Sequence, residues 1–230
     1  MLKHYRHDSA VIVVGSLVAI VYNSWPLGYI LNSQVAHRQL ASELEAAGQP
    51  YNWFFVCCDL MTCLLLLYLA LSYWRRRQPS PHKNGVLNAT VIGLILFGIF
   101  TAVSALTPLS CQINDLRCGA HASQILALHN LTGGIASFGL FIGLLGAWLF
   151  VAKRSLTPAV ILIRVTTALW CLSGIAYLFF TVINQYMQLV QDVFLVLSGI
   201  GVIAICMPYY KLITSEQTDD IQAEKPPTQR

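Results

Sequence analysis

The run from Asn52 to Arg77, NWFFVCCDLMTCLLLLYLALSYWRRR, decides the fold class. Over 52–74 it carries a single charged side chain, Asp59, and three arginines follow at once. At about 1.5 Å of rise per residue such a helix crosses a hydrocarbon layer about 30 Å thick, and the arginines stop it at the interface. Five further runs share this character, over 10–31, 86–109, 122–152, 159–183 and 189–210. The fourth span, 122–152, is longer than a crossing needs, so its start is expected to lie in the interface or to tilt. The chain is therefore predicted to be all-α, a polytopic membrane protein. It should form a bundle of six transmembrane helices, with 1–212 as a single integral membrane domain.

Composition agrees. The chain is 56% hydrophobic and only 10% charged, with a mean hydropathy of +0.62, whereas soluble proteins carry roughly 25% charged residues. A water-soluble core is excluded. The residues after Leu212 are rich in Thr, Gln, Asp, Glu and Pro and almost free of apolar side chains, which predicts a disordered tail over 213–230.

The cations orient the bundle, because Lys and Arg concentrate on the cytoplasmic side of short loops. Lys3, Arg6, Arg75, Arg76, Arg77, Lys83, Lys153, Arg154, Lys211, Lys225 and Arg230 fall on one side, against Arg38 and Arg117 on the other. Arg164, near the start of the fifth span, is close enough to the cytoplasmic face to snorkel there. Both termini are therefore expected in the cytoplasm, in a bacterial cytoplasmic membrane. The first span runs on through Asn23, Ser24, Trp25 and Pro26 without a small-residue cleavage site and is read as a retained signal anchor. The net charge of +4 comes from the cytoplasmic flanks and suits membrane lipids as partners. Nucleic acid is not expected as a partner, since that would need a basic face outside the membrane.

Residues 33–48 carry helix punctuation, with Ser33 as a cap, Leu40 and Leu44 at i, i+4, and Gly48 with Pro50 as a stop. They predict a short amphipathic helix lying on the outer surface. Cys111 and Cys118, the two of seven cysteines outside the spans, share one outer loop and are expected to form a disulfide. Cys57, Cys58, Cys63, Cys171 and Cys206 read as small core residues. The fourth span carries Gly133, Gly134, Gly139, Gly143 and Gly146, with Gly139 and Gly143 in small-xxx-small spacing. That stripe fits a helix at the packed centre of the bundle, or else a homo-oligomer face.

Depth can be counted along each span. Asn23, Asp59 and His129 all come out roughly 10–12 Å below the outer boundary. Ser104, Thr107 and Asp192 are shallower but still in the outer half. An ionised group in hydrocarbon is expensive unless paired or hydrated, so this set predicts an outward-facing polar pocket lined by Asn23, Asp59, Ser104, His129 and Asp192. Asp59 with two histidines, His121 and His129, is also a minimal ligand set for a divalent metal such as zinc, able to activate water. The eight-residue spacing of His121 and His129 sets them about 80° apart around a regular helix, so one ion could meet both only if the helix began after His121. No phosphate-binding glycine loop, paired CxxC or nucleophile-elbow sequence is present, and the last span lacks a lysine for a retinal Schiff base. Asn88 and Asn130, within sequons, fall at or inside spans and cannot be glycosylated there.

Several short motifs carry a resemblance. Trp25-Pro26-Leu27-Gly28 ends the first span, and Gln49-Pro50-Tyr51-Asn52-Trp53 leads into Asp59. The Ser104-to-Cys118 segment ends the third span, and His121 and His129 open the fourth. Over roughly 10–210 the chain resembles the bacterial membrane family catalogued as domain of unknown function 998. That likeness implies six spans but brings no activity with it. A more distant likeness is to the seven-span hydrolase superfamily of alkaline ceramidases and progestin-receptor-like proteins, whose zinc site uses Ser, Asp and three His. This chain departs from it in having six spans and no His pair in its last helix. Two classes of function follow. One is a non-enzymatic membrane protein whose polar pocket binds lipid or a small ligand, or only organises the bundle. The other is a metal-dependent intramembrane hydrolase of a lipid-like substrate, with Asp59 and His129 as ligands, His121 as a third ligand or proton carrier, and Ser104 in support.

Overall fold

The computed structural model describes residues 2–31, 40–75, 81–107, 109, 120–152, 156–183 and 186–223. Regular structure among them is entirely helical. The helices are α1 (Leu2–Tyr22), α2 (Pro26–Leu31), α3 (Asn52–Arg75), α4 (Pro81–Leu106), α5 (Ala120–Val151), α6 (Pro158–Ile183) and α7 (Met187–Ala223), with a 3-10 turn at Ala41–Glu45. Six stretches are long and apolar enough to cross a membrane: Ala10–Leu31, Asn52–Arg75, Gly85–Leu106, Gln124–Val151, Pro158–Ile183 and Met187–Met207. These match the six expected spans closely.

The first span is interrupted. Pro26 has no N–H to continue a ladder and disfavours helix at the residue before it, so α1 stops at Tyr22 and α2 restarts with Pro26 in its first position. The break is stitched locally: Asn23 Nδ2 donates to the Ala19 carbonyl at 2.9 Å, and Trp25 Nε1 donates to Asn23 Oδ1 at 3.2 Å.

The spans close into a ring in which α1 touches α3, then α3–α4, α4–α5, α5–α6, α6–α7 and α7–α1, with α5 also meeting α7 across it. The α4–α5 contact is the most intimate. A Cβ on Gly139 would lie 2.6 Å from the Phe97 nitrogen and 2.7 Å from Leu96 Cβ, and one on Gly146 would lie 2.9 Å from the Thr90 nitrogen. A Cβ on Gly93 would collide with the backbone of Gly139 and Gly143. The expected glycine stripe is thus spent inside the bundle, against α4. Gly133 and Gly134, by contrast, meet nothing within 4 Å.

Lipid-facing character is plain from the distribution of side chains. Ile20, Leu64, Leu131, Ile175, Leu178 and Val182 are exposed, whereas Thr62, Thr90, Thr101, Thr132, Thr166 and Ser198 are buried. Several buried hydroxyls are satisfied along their own helices, as in Thr167 to the Ile163 carbonyl at 2.6 Å, or between helices, as in Trp170 Nε1 to Ser198 Oγ at 2.9 Å, while that of Thr62 has no partner among the described residues. Such bonds are the usual helix glue where water is absent.

Four expectations meet the structure differently. Of 33–48, residues 40–48 are described, and they form a short 3-10 turn rather than an amphipathic surface helix. Leu44, Glu43 and Glu45 in it are buried, because Leu44 drops into a seat left by Gly28 against Phe55. Of the five span cysteines only Cys206 is buried; Cys57 is exposed on the apolar surface and the other three are partly covered. The expected Cys111–Cys118 bridge lies outside the described residues. Where an unstructured tail was expected from 213, α7 continues to Ala223, and 224–230 lie outside the described residues.

Replacing Gly139 with Ala should lower the stability of the bundle by about 1–3 kcal/mol through overpacking. Gly134→Ala should be neutral or slightly stabilising, since its Cβ meets open space. Thermal unfolding of the two variants in mild detergent checks this, and equal midpoints would show that α4 and α5 do not touch at Gly139.

Candidate functional site

Each expected pocket residue has found a separate partner, and together with residues 40–50 these pairs build one end of the bundle. Asp59, two turns inside α3, hydrogen-bonds to Glu45 of the 3-10 turn. Tyr22, at the last residue of α1, faces both carboxyls, and Cys58 lies beside Asp59. Two carboxyl groups can share a hydrogen bond only if one keeps its proton. Burial pushes the Glu45 carboxyl up from its usual 4.5 to about 7, while the hydrogen bond with Asp59 pulls the other way.

Asp192, near the start of α7, accepts a hydrogen bond from the Tyr29 hydroxyl of α2, and the same hydroxyl bonds with Gln188. Among the described residues the buried Asp192 Oδ1 has no hydrogen-bond partner. Glu43 faces Tyr29 and also turns back on its own turn, where Oε2 accepts the Leu40 N–H at 2.9 Å. One turn of the chain is therefore tied to α7 and α2 as well as to α3, and the Ala41 N–H donates to Gln191 Oε1 at 2.9 Å. The Ala47 N–H reaches the Leu109 carbonyl beyond α4, also at 2.9 Å.

His129 belongs to a different face. Its Nδ1 lies 3.2 Å from Ser104 Oγ, and the ring hydrogen-bonds the main chain at Ser104 and Thr107, where α4 ends. A helix leaves its last four carbonyls without intrahelical partners, and an imidazole from the neighbouring helix meets that need here. Thr107 completes the end with its hydroxyl on the Val103 carbonyl at 2.9 Å. Asn23 serves the α1–α2 break and packs its amide against Gly199 of α7, where a Cβ would collide with it.

The expected set is thus divided. Asp59 and Asp192 lie under the 40–50 segment, joined by Glu43, Glu45, Tyr22, Tyr29, Gln188 and Gln191. His129 and Ser104 pair with each other at the α4–α5 contact. Among the described residues no three His, Cys, Asp or Glu side chains converge to hold a metal ion. The side chain of His121 lies outside the described residues. The zinc-hydrolase reading finds no donor set here to support it, because Asp59 is engaged by Glu45 and His129 by Ser104.

Glu43 and Glu45 are the residues that sequence reasoning missed. A signal existed: two acids flank Leu44 in the loop just before the Asp59 helix, which reads in sequence as an amphipathic helix on the outer surface with Leu40 and Leu44 on its apolar face. In the 3-10 turn the consecutive residues Glu43, Leu44 and Glu45 are all buried, so no single outward face exists for an α-helical projection to assign.

The fold and this polar end define a polytopic helical membrane protein. The chain belongs to the family described as "Protein of unknown function (DUF998)", which matches residues 9–208. No curated protein matches it, and no solved structure does.

Removing the His129 ring leaves the Ser104 hydroxyl and the end of α4 without partners and opens a cavity. His129→Ala should therefore cost about 2–4 kcal/mol of stability, against about 1 kcal/mol for Ser104→Ala. Thermal unfolding in detergent measures both, and an unchanged midpoint for His129→Ala would refute the helix-end role.

Proposed function

We propose that this protein is a binding protein of the bacterial cytoplasmic membrane, with both termini in the cytoplasm. Its polar end faces outward and takes up a small ligand or a lipid headgroup beneath residues 40–50. The observation that carries this reading is Asp192 Oδ1, a buried carboxylate oxygen with no partner beside Tyr29 and Glu43. Buried polar atoms are nearly always paired, so an unmade bond of this kind is where a donor from outside belongs. The groups on offer are mostly acceptors, which selects a ligand that donates hydrogen bonds through hydroxyl or amine groups. Glycerol- and ethanolamine-type headgroups have that chemistry, as do free polyols and amines. Orientation is supported by the alternation of Lys and Arg along the chain, which leaves this end with Arg38 and Arg117 alone.

Native mass spectrometry of gently purified protein should show a bound adduct that is lost in Asp192→Asn, and its mass distinguishes a lipid from a free small molecule. Wild-type protein without an adduct, folded as stably as Asp192→Asn, would leave the polar cluster a structural tie only. For orientation, a cysteine at Ala47 should be labelled by an impermeant reagent in intact cells and one at Ser80 only after lysis; the reverse would invert the bundle.

A further inference from the structure

The first span is broken at the depth where the second carries its acid. Counted from Ala10, α1 ends at Tyr22 about 18 Å along its span, and Asp59, counted from Asn52, lies about 10 Å in from the opposite end. Together the two lengths make up a hydrocarbon layer of about 30 Å, so the break and the carboxyl stand level. Tyr22 faces Asp59 there. The Tyr22 carbonyl has lost its helical partner, because the residue four positions on is Pro26, which has no N–H. The same helix end carries the negative pole of the α1 dipole.

Two further oxygens come from α3. Asp59 is on the far side of that helix from the exposed Cys57, Met61 and Leu64, yet it is not closed off, so its free surface opens into the bundle and not to lipid. Thr62 is 0% exposed, and its hydroxyl oxygen has no partner among the described residues. Thr132 and Thr167 turn theirs onto the carbonyl four residues back, at 3.0 and 2.6 Å, whereas that of Thr62 turns away from its own helix. Thr62 follows Asp59 by three positions, about 4.5 Å along the axis and about 60° around it. Side chains on a helix lean toward its N-terminus, which carries the Thr62 hydroxyl toward the level of Asp59.

We propose that these oxygens form a site for one alkali cation, held between the broken end of α1 and the Asp59–Thr62 face of α3. All the donors are oxygen, the kind that hard cations take in place of water. Among the described residues no three His, Cys, Asp or Glu side chains converge, and Asp59 and Glu45, hydrogen-bonded to each other, carry a single negative charge between them. The site therefore matches one positive charge rather than two. A negative charge inside the bundle needs a counter-charge, and the groups acting on Asp59 do not supply it: they are Glu45 and Cys58, with Tyr22 opposite, and none is a cation. The site belongs to α1 and α3, apart from Asp192 of α7, and stands whether or not a ligand is held there.

Thermal unfolding of the full-length protein in detergent, in sodium or potassium chloride against choline chloride at equal ionic strength, reads the site with the ion alone. Wild type should show a saturable rise in midpoint with sodium or potassium that choline does not give. Thr62→Val keeps the shape of the side chain and removes its oxygen, so it should need roughly tenfold more of the ion for the same rise, and Thr62→Ser should restore the response. Asp59→Asn should abolish it. Equal wild-type midpoints in all three salts would overturn the proposal. So would a response unchanged in Thr62→Val, which decides the matter even if Asp59→Asn does not fold. Asp192→Asn, which tests the ligand, should keep the full response to the ion, so the cation site and the binding reading fail separately.

Discussion

The contact on which the rest of the structure depends is the approach of α4 and α5 to backbone distance. Inside a bilayer there is no hydrophobic force to drive two apolar helices together, so close van der Waals packing must do it, and that requires the absence of side chains at the crossing. Gly93, Gly139 and Gly146 provide this, each standing where a Cβ would overlap the partner's backbone or nearest side chain. A contact so close also fixes register. Moving along α4 from Thr90 through Gly93 to Phe97 moves back along α5 from Gly146 through Gly143 to Gly139. Continued in the same sense, that antiparallel register brings Ser104 to His129. The imidazole at the end of α4 is thus placed by glycines several turns away.

Against that rigid pair the polar end is built by different means. Among the described residues, 40–47 are held by the Leu44 seat, by hydrogen bonds from the Ala41 and Ala47 N–H groups to other elements, and by acidic side chains. Of the ten Asp and Glu residues in the chain, Glu43, Glu45, Asp59 and Asp192 gather here. Carboxyls are costly in a poorly hydrated place and persist only when protonated, paired or hydrated. Their concentration at one end, where Asp192 Oδ1 has no partner among the described residues, sets this end apart from the hydroxyl-bonded interior of the bundle.

The spans were legible because twenty-odd apolar residues admit few other readings, and the glycine stripe because small residues at helical spacing have one main use. Depth along each span could be counted as well, and Asn23, Asp59 and His129 do lie toward the same end. What counting residues could not supply is direction around the axis. In the ring, α4 stands between α3 and α5, so Asp59 and His129 share a depth while turning to different neighbours. Their apparent convergence, which suggested a metal site, came from one coordinate where two were needed. The burial of Glu45 was hidden for a related reason, since it depends on how the turn packs against α3, which spacing along the chain does not give.

Two of the motifs behind the family resemblance acquire a physical meaning together. In Trp25-Pro26-Leu27-Gly28, the proline starts α2 and the glycine leaves the space that Leu44 fills; a Cβ there would come within 2.7 Å of the Leu44 side chain. Trp25 packs edge-on against Tyr29 at 5.6 Å, and both line the same seat. In Gln49-Pro50-Tyr51-Asn52-Trp53, Tyr51 takes a left-handed conformation that bulky side chains avoid, and the chain turns there into the helix bearing Asp59. Strain of about 1–3 kcal/mol at such a residue persists only where the surroundings hold it. One motif therefore forms the seat of the segment and the other the turn that leads out of it. Motifs that look unrelated in sequence are, in space, the two supports of one segment packed beside the carboxyl cluster.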